Sequence, residues 1–91
     1  MFEINTEAEN TGKSIRIRYF AQLRDERGAA SELITELPPT AGELYEMLKH
    51  KYGFSLNLTQ IRVAINGSFA DMNQNILVGD ELVFIPPVSG G

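Results

Sequence analysis

Apolar and polar positions alternate or recur at helical spacing through most of the chain. Ser14 to Phe20 (SIRIRYF) sets Ile15, Ile17 and Tyr19 on one side and Arg16 and Arg18 on the other. A period of two in β-branched and aromatic residues predicts a half-buried strand. Ala21 to Arg27 (AQLRDER) consists of good helix formers and meets Gly28, which predicts a short helix with a glycine cap. Glu32 to Leu37 (ELITEL) predicts a second short strand, stopped by Pro38-Pro39. Thr40-Ala41-Gly42-Glu43 then opens the principal helix. Thr40 can accept from the amide of Glu43 while Glu43 reaches back to the amide of Thr40, a capping box. Leu44, Met47, Leu48 and Tyr52 share one face, and Gly53 ends the run.

Ile61, Val63 and Ile65 alternate with Arg62 and Ala64, and Asn66-Gly67 then supplies a two-residue hairpin turn. Ser68 to Ala70 returns as a short strand. Ile76-Leu77-Val78 is expected to pack a connecting loop, Gly79-Asp80 to turn, and Glu81 to Ile85 to form the last strand, ended by Pro86-Pro87. One substantial helix must bury its stripe on one face of a sheet of short strands. The compact solution is an α+β fold, a mixed four- to five-stranded sheet packed on one main helix: the β-grasp (ubiquitin-like) architecture. Residues 14–87 are expected to form this domain. Residues 1–13 hold only Phe2 and Ile4 as large apolar groups, and are read as a flexible extension; a strand-like arm packing those two is the alternative.

Composition narrows the function. Eight Lys+Arg against twelve Asp+Glu give a net charge of −4, which argues against a nucleic-acid partner. No apolar run approaches the roughly 18 residues of a membrane span, and the polar, acidic start has no signal-peptide pattern. A cytoplasmic protein is the default expectation. Cysteine is absent, which removes thiolate nucleophiles and Cys-based metal sites. His50 stands between Lys49 and Lys51 without a second His or Cys, so it reads as a cation near a helix C-terminus rather than a metal ligand. Asp25-Glu26 and Glu43-Glu46 lack a base, nucleophile or metal partner, so paired-carboxylate catalysis is unsupported. No cofactor is expected.

The terminus carries the candidate chemistry. After Pro86-Pro87 come Val88, Ser89 and Gly90-Gly91, a taper of residues 88–91 read as a flexible tail. Without a Cβ, Gly90-Gly91 can thread a channel too narrow for other residues. A carboxylate is a poor electrophile and must be activated, for example as an acyl-adenylate, before a nucleophile attacks. The plain alternative is a frayed end; the Pro-Pro stop after a final strand favours the chemical reading.

These residues resemble a known family. Gly79 to Gly91 (GDELVFIPPVSGG) is similar to the C-terminal signature of molybdopterin synthase small subunits, the MoaD family, which are ubiquitin-like sulfur carriers. Tyr19-Phe20-Ala21-Gln22-Leu23-Arg24 resembles the family's other marker, and Val63-Ala64-Ile65-Asn66 its central hairpin strand. The resemblance spans about residues 14–91; Phe84-Ile85 stands where an aromatic pair is common. It implies that the first and last strands pair in parallel at the sheet centre. It also implies that a MoeB-like, ATP-dependent enzyme adenylates Gly91, which becomes a thiocarboxylate. The tail would enter a MoaE-like large subunit and donate sulfur to cyclic pyranopterin monophosphate in molybdenum cofactor biosynthesis. Gly91 would bear the sulfur, Gly90 would thread the channel, and the chain would supply no catalytic side chain. Thiamin-type sulfur carriers share this tail, and a ubiquitin-like protein modifier is a rival from another class.

Phe20, Ile85 and Val88 fall at strand ends and are open to two readings, core or a partner-docking patch. Pro86 and Pro87 end a strand and also stiffen the base of the tail, with Ser89 beyond them. Arg16, Arg18 and Arg62 read as a solvated sheet face, or else pair with acidic groups of a partner. Asp80-Glu81 is expected to finish a turn.

Overall fold

The computed structural model describes residues 14–87. The extension 1–13 and the tail 88–91 lie outside the described residues. The elements run β1 (Ile15–Tyr19), α1 (Ala21–Arg27), β2 (Ser31–Ile34), α2 (Ala41–Tyr52), a 3-10 turn (Leu58–Gln60), β3 (Arg62–Ile65), β4 (Ser68–Ala70) and β5 (Glu81–Ile85). The five strands form one mixed sheet in the order β2-β1-β5-β3-β4. β1 and β5 are parallel at its centre, with Tyr19 opposite Phe84, and the other pairs are antiparallel.

Alternation assigns the faces. Ile15, Ile17 and Tyr19 of β1, Val63 of β3, and Leu82 and Phe84 of β5 are buried, in one cluster with Leu44, Tyr45 and Leu48 of α2. The Tyr45 ring meets Phe84 edge-on at 5.3 Å and stacks on Phe54 at 5.8 Å. Arg16, Arg18, Arg62 and Val83 stand on the opposite face.

Four expectations are corrected. The second strand ends at Ile34 rather than Leu37, because Ile15, its partner there, is the first residue of β1. On α2 the buried positions are Ala41, Gly42, Leu44, Tyr45 and Leu48; Met47 and Tyr52 pack against the same core but are only half-buried. Tyr45 can be buried because its hydroxyl donates to the carbonyl of Leu56 at 2.8 Å. Only half of the capping box forms. Thr40 Oγ1 accepts from the Glu43 amide at 3.2 Å, while the Glu43 carboxylate takes the Thr40 hydroxyl rather than its amide. Finally, Ile76 packs inward, but Leu77 and Val78 are exposed. They belong to a tight turn, closed by Asp80 N–H to Leu77 O at 3.0 Å.

The hairpin forms as expected, with φ of +52° at Asn66 and +88° at Gly67. Asp80 locks the turn before β5, accepting from the Leu77 amide at 2.8 Å and from Asn66 Nδ2 at 2.9 Å. Among the described residues no helix is long and apolar enough to cross a membrane.

Candidate functional site

The parallel pairing of β1 with β5 makes two distant stretches end side by side. Past the Tyr19–Phe84 pair, β1 yields Phe20 and β5 yields Ile85, Pro86 and Pro87. Phe20 is 48% exposed, Ile85 is half-buried, Pro86 is buried and Pro87 is exposed. Phe20, Ala21, Gln22, Asp25, Ile85, Pro86 and Pro87 line an open, mainly apolar groove of about 560 Å³. Phe20 is therefore a surface residue and not core, whereas Pro86 contributes to the floor. Val88, Ser89, Gly90 and Gly91 lie outside the described residues; the chain leaves for them from Pro87, at the rim of this groove.

On the open sheet face, register puts Ile85, Val83, Ala64 and Phe69 on one side. Ile85 is paired with Arg62, whose guanidinium lies 4.2 Å above the ring of Phe69. Phe69 is 62% exposed and was not singled out from the sequence. A usable signal exists: a two-residue turn at Asn66-Gly67 opposes Phe69 to Ala64, which alternation puts on the outward face. Arg18 pairs with the chain's own Glu81 at 2.7 Å, both side chains well exposed, so the bond adds little stability.

Behind the groove, polar side chains tie α1 down. Glu26 accepts from Ser55 Oγ at 2.6 Å and from Gln22 Nε2 at 3.0 Å. These hydrogen bonds hold the Glu26 carboxyl below its ordinary range, Ser55 contributing most. Glu32 accepts from the hydroxyls of Tyr19 and Tyr52 and from both Nε and Nη2 of Arg27. Burial alone would raise the Glu32 pKa, but the donors from Arg27, Tyr19 and Tyr52 outweigh it and leave the group below its usual value. Among the described residues no three His, Cys, Asp or Glu side chains gather as a metal site. His50 is exposed, and neighbouring Lys49 donates to the Phe54 carbonyl at 2.9 Å.

The arrangement is an open apolar groove where β1 and β5 end side by side. The description "ThiS family" matches residues 17–91. The chain belongs to this family. It is 34% identical over 84 residues to the molybdopterin synthase sulfur carrier subunit of Drosophila yakuba, covering 86% of this chain and 91% of the relative. Among solved structures it resembles SAMP1 from Haloferax volcanii, with a TM-score of 0.68 and 27% identity over 86% of this chain and 99% of that one. It also resembles a chain in the complex of subunits 1 and 2 of the molybdopterin-converting factor of Helicobacter pylori. There the TM-score is 0.59 and the identity 25%, over 86% of this chain and 99% of that one. The fold is the ubiquitin-like β-grasp of these neighbours, and the chain groups with the MoaD-like, ubiquitin-like sulfur carriers.

Proposed function

We propose that this ThiS-family chain is the sulfur-carrier small subunit of a molybdopterin synthase, working through its C-terminal glycine. The Gly91 carboxylate attacks the α-phosphate of ATP on a MoeB-like enzyme, releasing pyrophosphate and leaving an acyl-adenylate. Hydrosulfide then displaces AMP, the C–S bond forming as the C–O bond to AMP breaks, and the product is a thiocarboxylate. In a MoaE-like large subunit that sulfur is transferred to cyclic pyranopterin monophosphate. The thiocarboxylate is the consumed reagent: its sulfur leaves, an oxygen takes its place and the terminus is again a carboxylate, so the subunit needs no catalytic side chain of its own. Gly90 serves as the slender neck that admits the terminus to the large subunit's channel.

The observation that most supports this reading is the placement of the groove. Phe20, Ile85 and the Pro86-Pro87 pair stand together where the chain departs toward Val88, Ser89 and the glycines. An apolar anchor beside a stiffened tail root lets one partner hold the domain and receive the tail at once. The D. yakuba relative carries the sulfur-carrier name, and the H. pylori neighbour is seen with a subunit 2.

Intact mass of the protein purified with its pathway present should show sulfur in place of oxygen, localised to Gly91 by C-terminal fragmentation. Deleting Gly91 should abolish sulfur transfer while the melting temperature stays unchanged. Persistent transfer by that variant overturns the proposal. Rescue of thiamin-deficient rather than molybdopterin-deficient cells would move the chain to the thiamin-type carriers. Isopeptide adducts on denaturing gels would instead identify a protein modifier.

A further inference from the structure

Register sorts the side chains of the open sheet face into rows. Arg18 of β1, Val83 of β5, Ala64 of β3 and Phe69 of β4 lie in one row across the sheet. Leu33, Arg16 and Glu81 form the row before it, and Ile85 and Arg62 the row after. Phe69 is exposed, and Leu33, Ala64, Val83 and Ile85 are half-buried. Register thus gives this face three guanidinium groups and one carboxylate, in a chain whose net charge is −4. Elsewhere on residues 14–87, eight acidic side chains stand against Arg24, Arg27, Lys49 and Lys51.

The chain enters at one corner of this face. Ser14 precedes the inward Ile15 and so falls on the outer side. Its hydroxyl is buried without a hydrogen-bond partner among the described residues, beside a cavity of about 130 Å³ that Arg16, Leu33 and Glu81 also line. Buried hydroxyls normally have a partner, and residues 1–13 are joined to the chain at this point. They carry Glu3, Glu7 and Glu9 against Lys13, with Phe2 and Ile4 as their large apolar groups. Acidic groups interspersed with apolar ones complement this cationic, partly apolar face, whereas the rest of the domain repels them. Strands lie about 4.8 Å apart, so β4 is about 14 Å from β1, and thirteen extended residues span up to about 43 Å.

We propose that residues 1–13 dock on the open sheet face of their own domain, Phe2 and Ile4 against Val83, Ile85 and Phe69 and the three glutamates among Arg16, Arg18 and Arg62. A tether this short holds the segment at a local concentration of roughly millimolar, so a contact too weak to retain a free peptide still occupies the face. Ile85 also lines the groove beside Phe20, so the segment competes with the large subunit there. The competition, unlike the contact itself, rests on the docking reading above.

The chain has no cysteine, so Thr6→Cys takes a single nitroxide label in the full-length protein. Paramagnetic broadening should be strong at the amides of Arg18, Ala64, Val83 and Phe69 and weak at Glu46 and His50, on the exposed side of α2. It should fall to background with Phe2→Ser and Ile4→Ser together, and again with Glu3→Gln, Glu7→Gln and Glu9→Gln together. Equal broadening on the sheet and on α2 overturns the proposal, as does a pattern that neither set of substitutions changes. Broadening of an isotope-enriched chain by a separate labelled chain would put a second copy on the face, and also overturns it. By calorimetry F2S/I4S, which leaves the charge unchanged, should bind the large subunit about threefold or more tightly than the parent, since the face is no longer occupied. Parental affinity overturns the competition. Failure of parent and variant alike to bind defeats the docking reading, and the broadening pattern still decides the contact.

Discussion

Glu32 gathers more side-chain donors than any other carboxylate among the described residues. Its two carboxylate oxygens take four donors from β1, α1 and α2, and its side chain is 14% exposed. Glu32→Gln keeps the shape but loses the charge and turns one acceptor into a donor facing donors. A loss of about 1–3 kcal/mol is expected in urea unfolding. The depressed pKa gives the sign at acid pH: the contribution is whole above the unfolded carboxyl value of about 4.3 and fades as pH falls through the lower folded value. Parent and Glu32→Gln should therefore converge in stability in strong acid. At the alkaline end Tyr19 and Tyr52 are raised, chiefly by burial, and burial pushes Tyr45 up to about 12. Their contribution is whole below the unfolded phenol value of about 10 and is lost as pH climbs through the folded values. Thermal melts from neutral to strongly alkaline pH should show stability falling once pH passes that unfolded value.

At the scale of elements, α2 shows how local signals and packing share control. Its start was written in Thr40 and its stop in Gly53, whose φ is +74° and whose amide donates to Lys49 O at 2.7 Å. Thr40→Ala removes the acceptor for the Glu43 amide and should cost about 1 kcal/mol by chemical denaturation. The buried face was harder to read, because Met47 and Tyr45 compete for it. Tyr45 is buried through the Leu56 carbonyl, a loop partner that helical periodicity does not contain. Gly42 has a similar explanation. A Cβ there would lie 3.1 Å from the backbone oxygen of Met72, which the Gly42 amide already contacts at 2.8 Å. The length of β2 likewise depended on where its neighbour began.

For the whole molecule, the parallel β1–β5 pair is the decisive contact, since it sets Phe20 beside Pro86 and Pro87. On the proposed function, a domain that presents an anchor next to the C-terminal glycines separates holding from chemistry. Gly90→Ala is accordingly expected to slow single-turnover sulfur transfer at least about tenfold, as misplacement of a reacting group does. Binding of the large subunit, measured separately, should weaken only modestly. Equal losses in both measurements would mean that Gly90 acts in docking and not in passage.

The sequence by itself determined the order and type of the strands and both helices, the Thr40 start and glycine stops, and the Asn66-Gly67 turn, because these rest on spacing and dihedral preference within a few residues. Strand order was expected from the family resemblance alone, since a period of two says which face a residue takes and nothing about its neighbours. Tertiary structure alone decided that Phe20 lines a groove with Pro86 and Pro87, that the Arg62 guanidinium covers Phe69, and that Glu32 gathers its four donors. Each of those depends on groups far apart in the chain whose meeting is set by sheet pairing, and pairing is settled only when the whole core closes.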